Sequence, residues 1–408
     1  MNGAFSRLAA ASGRAAAYMA EEIERVCRRM DKRAPGSAGE RAAAKHFAAL
    51  LAEECGCADV RVESFSLRPA AFYGYFYFSA ALDLLCGLGF FIHPGLSLLF
   101  GALALLLFVF QFVLYRQVID GFFPRRESAN VTAVRRCAGE VKRRVFLNGH
   151  IDAPWEFPLN HHFGGVAFEI PGVMALLGVL FYMALAALSL CGAGDWARRA
   201  ARAGLLFVPF FLLVACTYNP RRVVDGANDD LSGCMMGVAL LREMQAQGMT
   251  LAHTEVGVIL TGAEEAGLRG AKAWSRAHAA DDRGAPSFII SYDTIHDPRH
   301  LMVNARDLNG TVAADSALCA LFMRAAEDVN VPCKRGWVPP MGGATDSAAF
   351  TQGGFRSVGI TGLNHKLEDY YHTRRDSWDN LNLEGLENCY RATVRALELI
   401  DEGALDGQ

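Results

Sequence analysis

The sequence predicts an α/β protein with a mixed central β-sheet flanked by helices and two inserted transmembrane helical hairpins. Three observations predict it. Short apolar strands alternate with helical segments along most of the chain. Two regions carry uncharged stretches of the length needed to span a bilayer. The conspicuous polar residues sit just past the ends of the apolar strands, where open α/β sheets place their sites.

At 408 residues the chain is long enough for a sizeable core. A net charge of -3 provides no strongly basic face, so nucleic acid is not an expected partner. The hydrophobic fraction of 52% is high for a soluble enzyme and points to membrane segments. The 11 cysteines are scattered without a Cys-x-x-Cys pair, which fits buried thiols in a reduced compartment. Residues 1–30 interleave Arg7, Arg14, Arg25, Arg28 and Arg29 with Glu21, Glu22 and Glu24, which does not suit a signal peptide.

Residues 15–51 read as helix with a break near Pro35-Gly36, and residues 60–67 as a strand. Between Arg68 and Arg116 the only side chains able to carry charge at neutral pH are Asp83 and His93. That stretch is about twice the roughly 20 residues a spanning helix needs. His93-Pro94-Gly95 reads as a turn, giving spans over 72–92 and 96–115. Asp83 is costly inside a span and such residues face protein or water; no role is assigned to it from sequence. Strands are expected at 130–136 and 145–148, the latter running into Gly149-His150-Ile151-Asp152. A third span covers 172–190. A fourth, over 203–218, contains Pro209, and a re-entrant, interfacial or buried core helix is the alternative there. Further on come a helix at 231–245, a strand at 255–260, a helix at 268–279 and a strand at 288–291 leading to Asp293. Residues 316–329 read as helix, 357–360 as strand and 386–402 as a closing helix.

This divides the chain into an N-terminal part of the soluble domain (1–70), a hairpin (71–116), more of the domain (117–165), a second hairpin (166–219) and its main part (220–408). Each hairpin crosses twice, so the soluble pieces meet on one side. Arg68, Arg116, Arg125, Arg126, Arg221 and Arg222 flank the spans on the domain side, against Arg198, Arg199 and Arg202 on the opposite loop. The positive-inside rule then expects a multi-pass membrane protein with a cytoplasmic domain.

The chemistry-bearing residues follow the strands. Glu264-Glu265 lies in Leu260-Thr-Gly-Ala-Glu-Glu-Ala-Gly-Leu-Arg-Gly270. Adjacent carboxylates on a loop point different ways, so one can bind a metal while the other handles a proton. His150, Asp229, Glu265, Asp293 and His372 are candidate metal ligands, since hydrolytic zinc sites use imidazole nitrogen and carboxylate oxygen. His161-His162 lies beside the third span and is expected at the interface, while His296 and His300 are expected to be solvated.

Five motifs carry a resemblance: Asn148-Gly-His-Ile-Asp152, Gly226-Ala-Asn-Asp-Asp-Leu-Ser-Gly233, Thr261-Gly-Ala-Glu-Glu-Ala-Gly-Leu-Arg-Gly270, Ser291-Tyr-Asp293 and Tyr371-His-Thr-Arg-Arg-Asp376. Together they resemble the co-catalytic two-zinc aminopeptidase family, which includes glutamate carboxypeptidases and glutaminyl cyclases. The resemblance implies a three-layer zinc-exopeptidase sandwich and two zinc ions, with cobalt or manganese able to use the same ligands. Asp229 would bridge the metals, His150 and Asp293 would complete one, and Glu265 and His372 the other. Glu264 would be the base. Asp152 would orient the His150 imidazole, and Asp376 would do the same for His372. Gly342-Gly-Ala-Thr-Asp-Ser-Ala-Ala-Phe350 resembles the border of the family's substrate pocket, making Asp346 a pocket residue or a helix N-cap. The two inserted hairpins depart from the family pattern.

The implied function is a membrane-anchored metallo-exopeptidase, most simply an aminopeptidase, with a peptide substrate and the lipid bilayer as partners. The alternatives are a cyclase or amidase on the same fold, or a non-catalytic receptor or scaffold. The retained five-residue ligand set favours the peptidase. Four spans split by a soluble domain make a poor transporter pore.

Overall fold

A computed structural model describes residues 3–279, 284–364 and 368–407. Helices α1 (Gly3–Ala10), α2 (Ser12–Arg29) and α3 (Ala38–Glu53) lead into strand β1 (Asp59–Leu67). The first insertion forms α4 (Ala70–Ile92) and α5 (Pro94–Leu107), continued by a π-helical turn at Phe108–Val113. Strands β2 (Arg126–Arg135) and β3 (Arg143–His150) follow. The second insertion runs between two short strands, β4 (Trp155–Glu156) and β5 (Asn219–Val223), and contains α6 (Pro158–Phe163), α7 (Gly165–Leu188), α8 (Gly194–Ala201) and α9 (Val208–Val214). The chain then passes through α10 (Ser232–Ala246), β6 (Thr254–Thr261), α11 (Arg269–His278), β7 (Ser287–Ile295), β8 (Met302–Asp307) and β9 (Val312–Ala313). It ends with α12 (Ser316–Asp328), β10 (Lys334–Trp337), α13 (Asp346–Gln352), β11 (Arg356–Gly362) and α14 (Leu383–Asp401).

The strands build a nine-stranded mixed sheet in the order β1-β2-β6-β3-β7-β11-β8-β10, with β9 paired to β8. Its centre is parallel: β3 runs with β6 and β7, and β7 with β11. Parallel central strands are covered on both faces, so they must be apolar throughout. Every residue of β6 is buried, and its centre, Val256 to Leu260, is apolar. Residues of α2, α3, α10, α12 and α14 pack on one face. Residues of α11 and α13 cover the other, joined by Phe72, Tyr115, Phe157 and Tyr218 from the bases of the two insertions. The expected three-layer arrangement is present.

Local chemistry sets several boundaries. Ser37 caps α3 by accepting a hydrogen bond from the Glu40 amide at 3.1 Å. Glu40 occupies the capping-box position but bonds elsewhere. Its carboxylate accepts from the Gly36 and Ala263 amides, each at 2.8 Å, tying α3 to the loop that carries Glu264. At the first hairpin turn the His93 ring accepts from the Gly95 amide at 3.0 Å, with Pro94 opening α5.

The two insertions form one bundle in which α4 packs on α5, α7 and α9. Three helical stretches are long and apolar enough to cross a membrane: Ala70–Ile92, Pro94–Val113 and Gly165–Val214. The fourth expected span is not a continuous helix. Residues Arg202–Phe207 form a 3-10 segment and only Val208–Val214 is α-helical, with Pro209 in its first turn. The segment folds back along α7, and the pairing of β4 with β5 brings the chain home at its point of departure. Leu88, Ile92, Leu106, Val166 and Leu206 are exposed on the outer face of this bundle.

Candidate metal centre

His150 ends β3, Glu264 and Glu265 follow β6, and Asp293 lies near the end of β7. The carboxyl ends of three adjacent parallel strands therefore aim these side chains at one place. Asp229 comes from the turn before α10, and His372 from the loop after β11. The turn and β3 approach so closely that a Cβ on Gly149 would collide with the backbone of Gly233 and Cys234. A side chain at Gly149 would push His150 and Asp229 apart.

The five expected ligands converge. His150 Nε2 is 3.1 Å from Asp229 Oδ1, and His372 Nε2 is 3.2 Å from Asp229 Oδ2. His372 Nε2 is also 3.3 Å from Glu265 Oε1. Donor atoms of His150, Asp229 and Asp293, and of Asp229, Glu265 and His372, fall within 4.8 Å of one another. Ligand atoms around a tetrahedral zinc with bonds of roughly 2.0–2.2 Å stand about 3.3 Å apart, so the donor set fits a metal ion. Asp229 Oδ2 is buried without a hydrogen-bond partner, as expected of an oxygen reserved for a cation. His150 Nδ1 lies 3.2 Å from the Asp152 carbonyl, an acceptor that fixes the proton there and leaves Nε2 free.

The electrostatics also ask for positive charge. Burial and neighbouring carboxylates push Glu264 and Glu265 well above the usual range, despite the His150 imidazole. Burial, then Asp229, raises Asp293 to about 7. Asp229 goes the other way: burial would raise it, but the His150 and His372 imidazoles hold it low.

The supporting acids do more than the sequence suggests. Asp152 was expected to orient His150, and its Oδ1 lies 3.5 Å from His150 Nδ1. Both its oxygens also accept backbone amides, from Glu264 and Glu265 at 3.0 Å each, so it holds the glutamate pair as well. Asp376 was expected beside His372, but it accepts from the Asn228 amide at 2.8 Å and the Asp229 amide at 3.1 Å. It holds the Asp229 turn, where three N–H donors, including the Asn228 side chain, converge on it. Asp346, expected in the supporting shell, at the substrate pocket or as a cap, lies in the supporting shell. It makes no capping bond at the start of α13, and its carboxylate takes the Thr261 hydroxyl from beneath the site.

Other partners escaped sequence reasoning. Tyr73, in α4, is buried with its hydroxyl 3.2 Å from Glu265 Oε2 and 3.5 Å from His372 Nδ1. A tyrosine at the base of an apolar span reads as an interfacial anchor, which hid it. Asp230 accepts from the His150 amide at 2.9 Å and the Gly233 amide at 2.9 Å, locking strand to turn. His296, expected to be solvated, is half-buried and 3.1 Å from Asn228 Oδ1. His372 itself has φ 51°, a left-handed conformation costing on the order of 1 kcal/mol that the surrounding packing imposes. Its ring lies against Phe157 at 4.3 Å between centroids.

Residues 209–397 match peptidase family M28. The match covers 189 of the 408 residues, just under half of the chain. The matched segment holds Asp229, Glu264, Glu265, Asp293 and His372, while the structure supplies His150 from outside it. No curated protein matches the sequence. Among solved structures, this chain is similar to a zinc aminopeptidase from Bacillus subtilis, with 12% identity and a TM-score of 0.56 over 94% of this chain and 95% of that one. It is similar to an aminopeptidase from Aneurinibacillus sp. strain AM-1, with 14% identity and a TM-score of 0.55 over 94% and 93%. It is also similar to a glutaminyl cyclase from Porphyromonas gingivalis, with 13% identity and a TM-score of 0.55 over 95% and 97%. At these identities the likeness is one of fold. The match to a peptidase family supports a metallo-exopeptidase.

Proposed function

We propose that the protein is a membrane-anchored exopeptidase with two zinc ions, acting as an aminopeptidase on N-terminal peptide bonds. One observation carries the two-metal reading: the two oxygens of Asp229 face different imidazoles, at 3.1 and 3.2 Å. A carboxylate so placed would hold one ion with each oxygen. His150 and Asp293 lie on one side of it, and Glu265 and His372 on the other.

Zinc bound there supplies Lewis-acid activation of water and of the scissile carbonyl. The chain does the rest. Glu264, not needed as a ligand, takes the proton of the attacking water and delivers it to the leaving amine. Asp152 keeps that carboxylate in place through the two backbone amides. Tyr73 and Phe157 wall the site and exclude bulk water.

The exposed apolar face of the helix bundle supports anchoring in a bilayer. The arginines flanking the spans support a cytoplasmic domain. Cys191, exposed in the far loop between α7 and α8, then lies on the opposite side from Cys137. An impermeant maleimide on intact cells should label Cys191 but not Cys137; the reverse pattern would invert the topology.

The activity test is hydrolysis of a panel of aminoacyl amides and peptides by detergent-purified protein, with and without chelator. Chelation should abolish turnover, and Glu264→Gln should lower kcat by about 100- to 10,000-fold. Full activity in that variant would remove Glu264 as base. Conversion of glutaminyl peptides to pyroglutamyl products without hydrolysis would select the cyclase instead.

A further inference from the structure

One cavity of about 460 Å³ starts at the metal centre and ends inside the helix bundle. Asp229, Glu264, Glu265, Asp293 and His372 line its near end. Along α4, Tyr73, Phe76, Ser79 and Asp83 all face it, a spacing that keeps one stripe of a helix. Asp83 lies ten residues beyond Tyr73, so at 1.5 Å per residue the cavity follows α4 for about 15 Å. Between the two ends the walls are apolar, with Phe108, Phe112, Leu176 and Val179 among them.

Asp83 interrupts that lining. It is 4% exposed, and its hydrogen bond comes from Ser79 Oγ at 3.4 Å. No lysine, arginine or histidine pairs with it among the described residues. A buried carboxylate without a cation is unfavourable, and inside a bilayer such a residue marks a ligand path. Of the other carboxylates on the cavity, Asp229, Glu264, Glu265 and Asp293 belong to the metal centre and Glu169 is exposed. Asp83 is the one buried acid left to meet a ligand's positive charge.

We propose that Asp83 receives the free α-ammonium of a peptide substrate, so that about four apolar N-terminal residues fill the chamber and the bond after them lies at the metal centre. An extended chain spans roughly 3.3–3.6 Å per residue, and 15 Å accommodates about four. The inference rests on the exopeptidase reading but goes beyond its aminopeptidase form: the bond cut is the one after about four residues, and the product is a short apolar peptide in place of a single amino acid. The reaction is unchanged hydrolysis. Water adds to the carbonyl of the last chamber residue, the C–N bond breaks, and a proton leaves with the new amine. An acyl chain would suit the walls but would set a methyl end against a carboxylate, which disfavours it.

The test uses the full chain in nanodiscs. In the zinc-loaded Glu264→Gln variant, an all-leucine tetrapeptide amide should bind at least tenfold more tightly than its N-acetylated form, and Asp83→Asn should erase that difference. The wild-type enzyme should release products of about four residues, read by mass spectrometry. Moving the carboxylate one turn with S79D/D83A brings it about 6 Å nearer the metals and should shorten the product to two or three residues. This double variant keeps a carboxylate in the bundle, so it serves even if Asp83→Asn fails to fold. Release of single amino acids, unaltered by either change, would overturn the ammonium anchor and leave the exopeptidase reading intact. Amine-dependent binding without any hydrolysis would do the opposite. Tighter binding of an N-lauroyl peptide than of the free amine would replace the anchor with an acyl-chain site.

Discussion

In the sheet domain, the acids that support the site are held by backbone amides: Asp152 by Glu264 and Glu265, Asp376 by Asn228 and Asp229, Asp230 by His150 and Gly233, Glu40 by Gly36 and Ala263. In the helix bundle Asp83 has a single serine. Amides within a turn cannot move away without unfolding it, so the first arrangement is pre-organised. A lone carboxylate facing a cavity is completed by what enters. The same side-chain type thus builds the rigid machinery in one region and a receptive surface in the other.

The largest expected effect comes from breaking the rigid side. Asp152→Asn keeps the shape but presents an NH2 group to one of two amides, leaving a buried donor unpaired. The loop carrying the base and a ligand should shift, lowering kcat/KM by about 100-fold with little change in overall fold by circular dichroism. Asp376→Asn should act by the same route on the Asp229 turn and weaken zinc retention. Loss of neither activity nor zinc retention would mean that the metals, not the acids beneath them, organise the site.

Much of this domain is legible in the sequence because its motifs are local. Gly226-Ala-Asn-Asp-Asp-Leu-Ser-Gly233 and the Glu264-Glu265 loop announce themselves over a few residues, and an apolar run, Val256 to Leu260, leads into the glutamates. What the sequence hides is partner choice. Asp152 and Asp376 each stand near a histidine in the chain, yet both bond to amides from distant segments. Strand β10 was invisible for another reason: Lys334–Trp337 is a short, mostly exposed edge without alternation. The bundle was legible only as length and lack of charge. Nothing in α4 itself says that Tyr73 reaches the metal centre, because that contact depends on how the insertion docks on the sheet.

A smaller effect separates the metal-free from the loaded domain. Burial, then Asp229, raises both Asp293 and Asp376 to about 7. In the unfolded chain these acids lose their protons near pH 4. Between about pH 4 and 7 the native state therefore holds protons the unfolded state has released, and stability falls as pH rises. Chelated protein should melt several degrees lower at pH 8 than at pH 5. Zinc competes with those protons at the centre, so its stabilisation should grow over the same interval. A chelated protein that is more stable at pH 8 would show that the cluster is not strained by its own charge.

The smallest change tests whether the two regions act together at all. Tyr73 belongs to α4, yet its hydroxyl is 3.2 Å from Glu265 Oε2, at a ligand of one proposed zinc. Outer-shell hydrogen bonds of this kind alter metal affinity by about 10- to 100-fold, and a single hydroxyl on a carboxylate belongs at the lower end. Tyr73→Phe removes it and keeps the ring packed against Trp155 and Tyr218. The variant should lose zinc to a chelator about tenfold faster, with unchanged melting of the metal-free protein. If α4 were an anchor alone, the hydroxyl would be incidental and the loss rate would stay at the wild-type value. An altered rate would instead mean that the hairpin is part of the metal centre, and that movement of α4 reaches Glu265 directly.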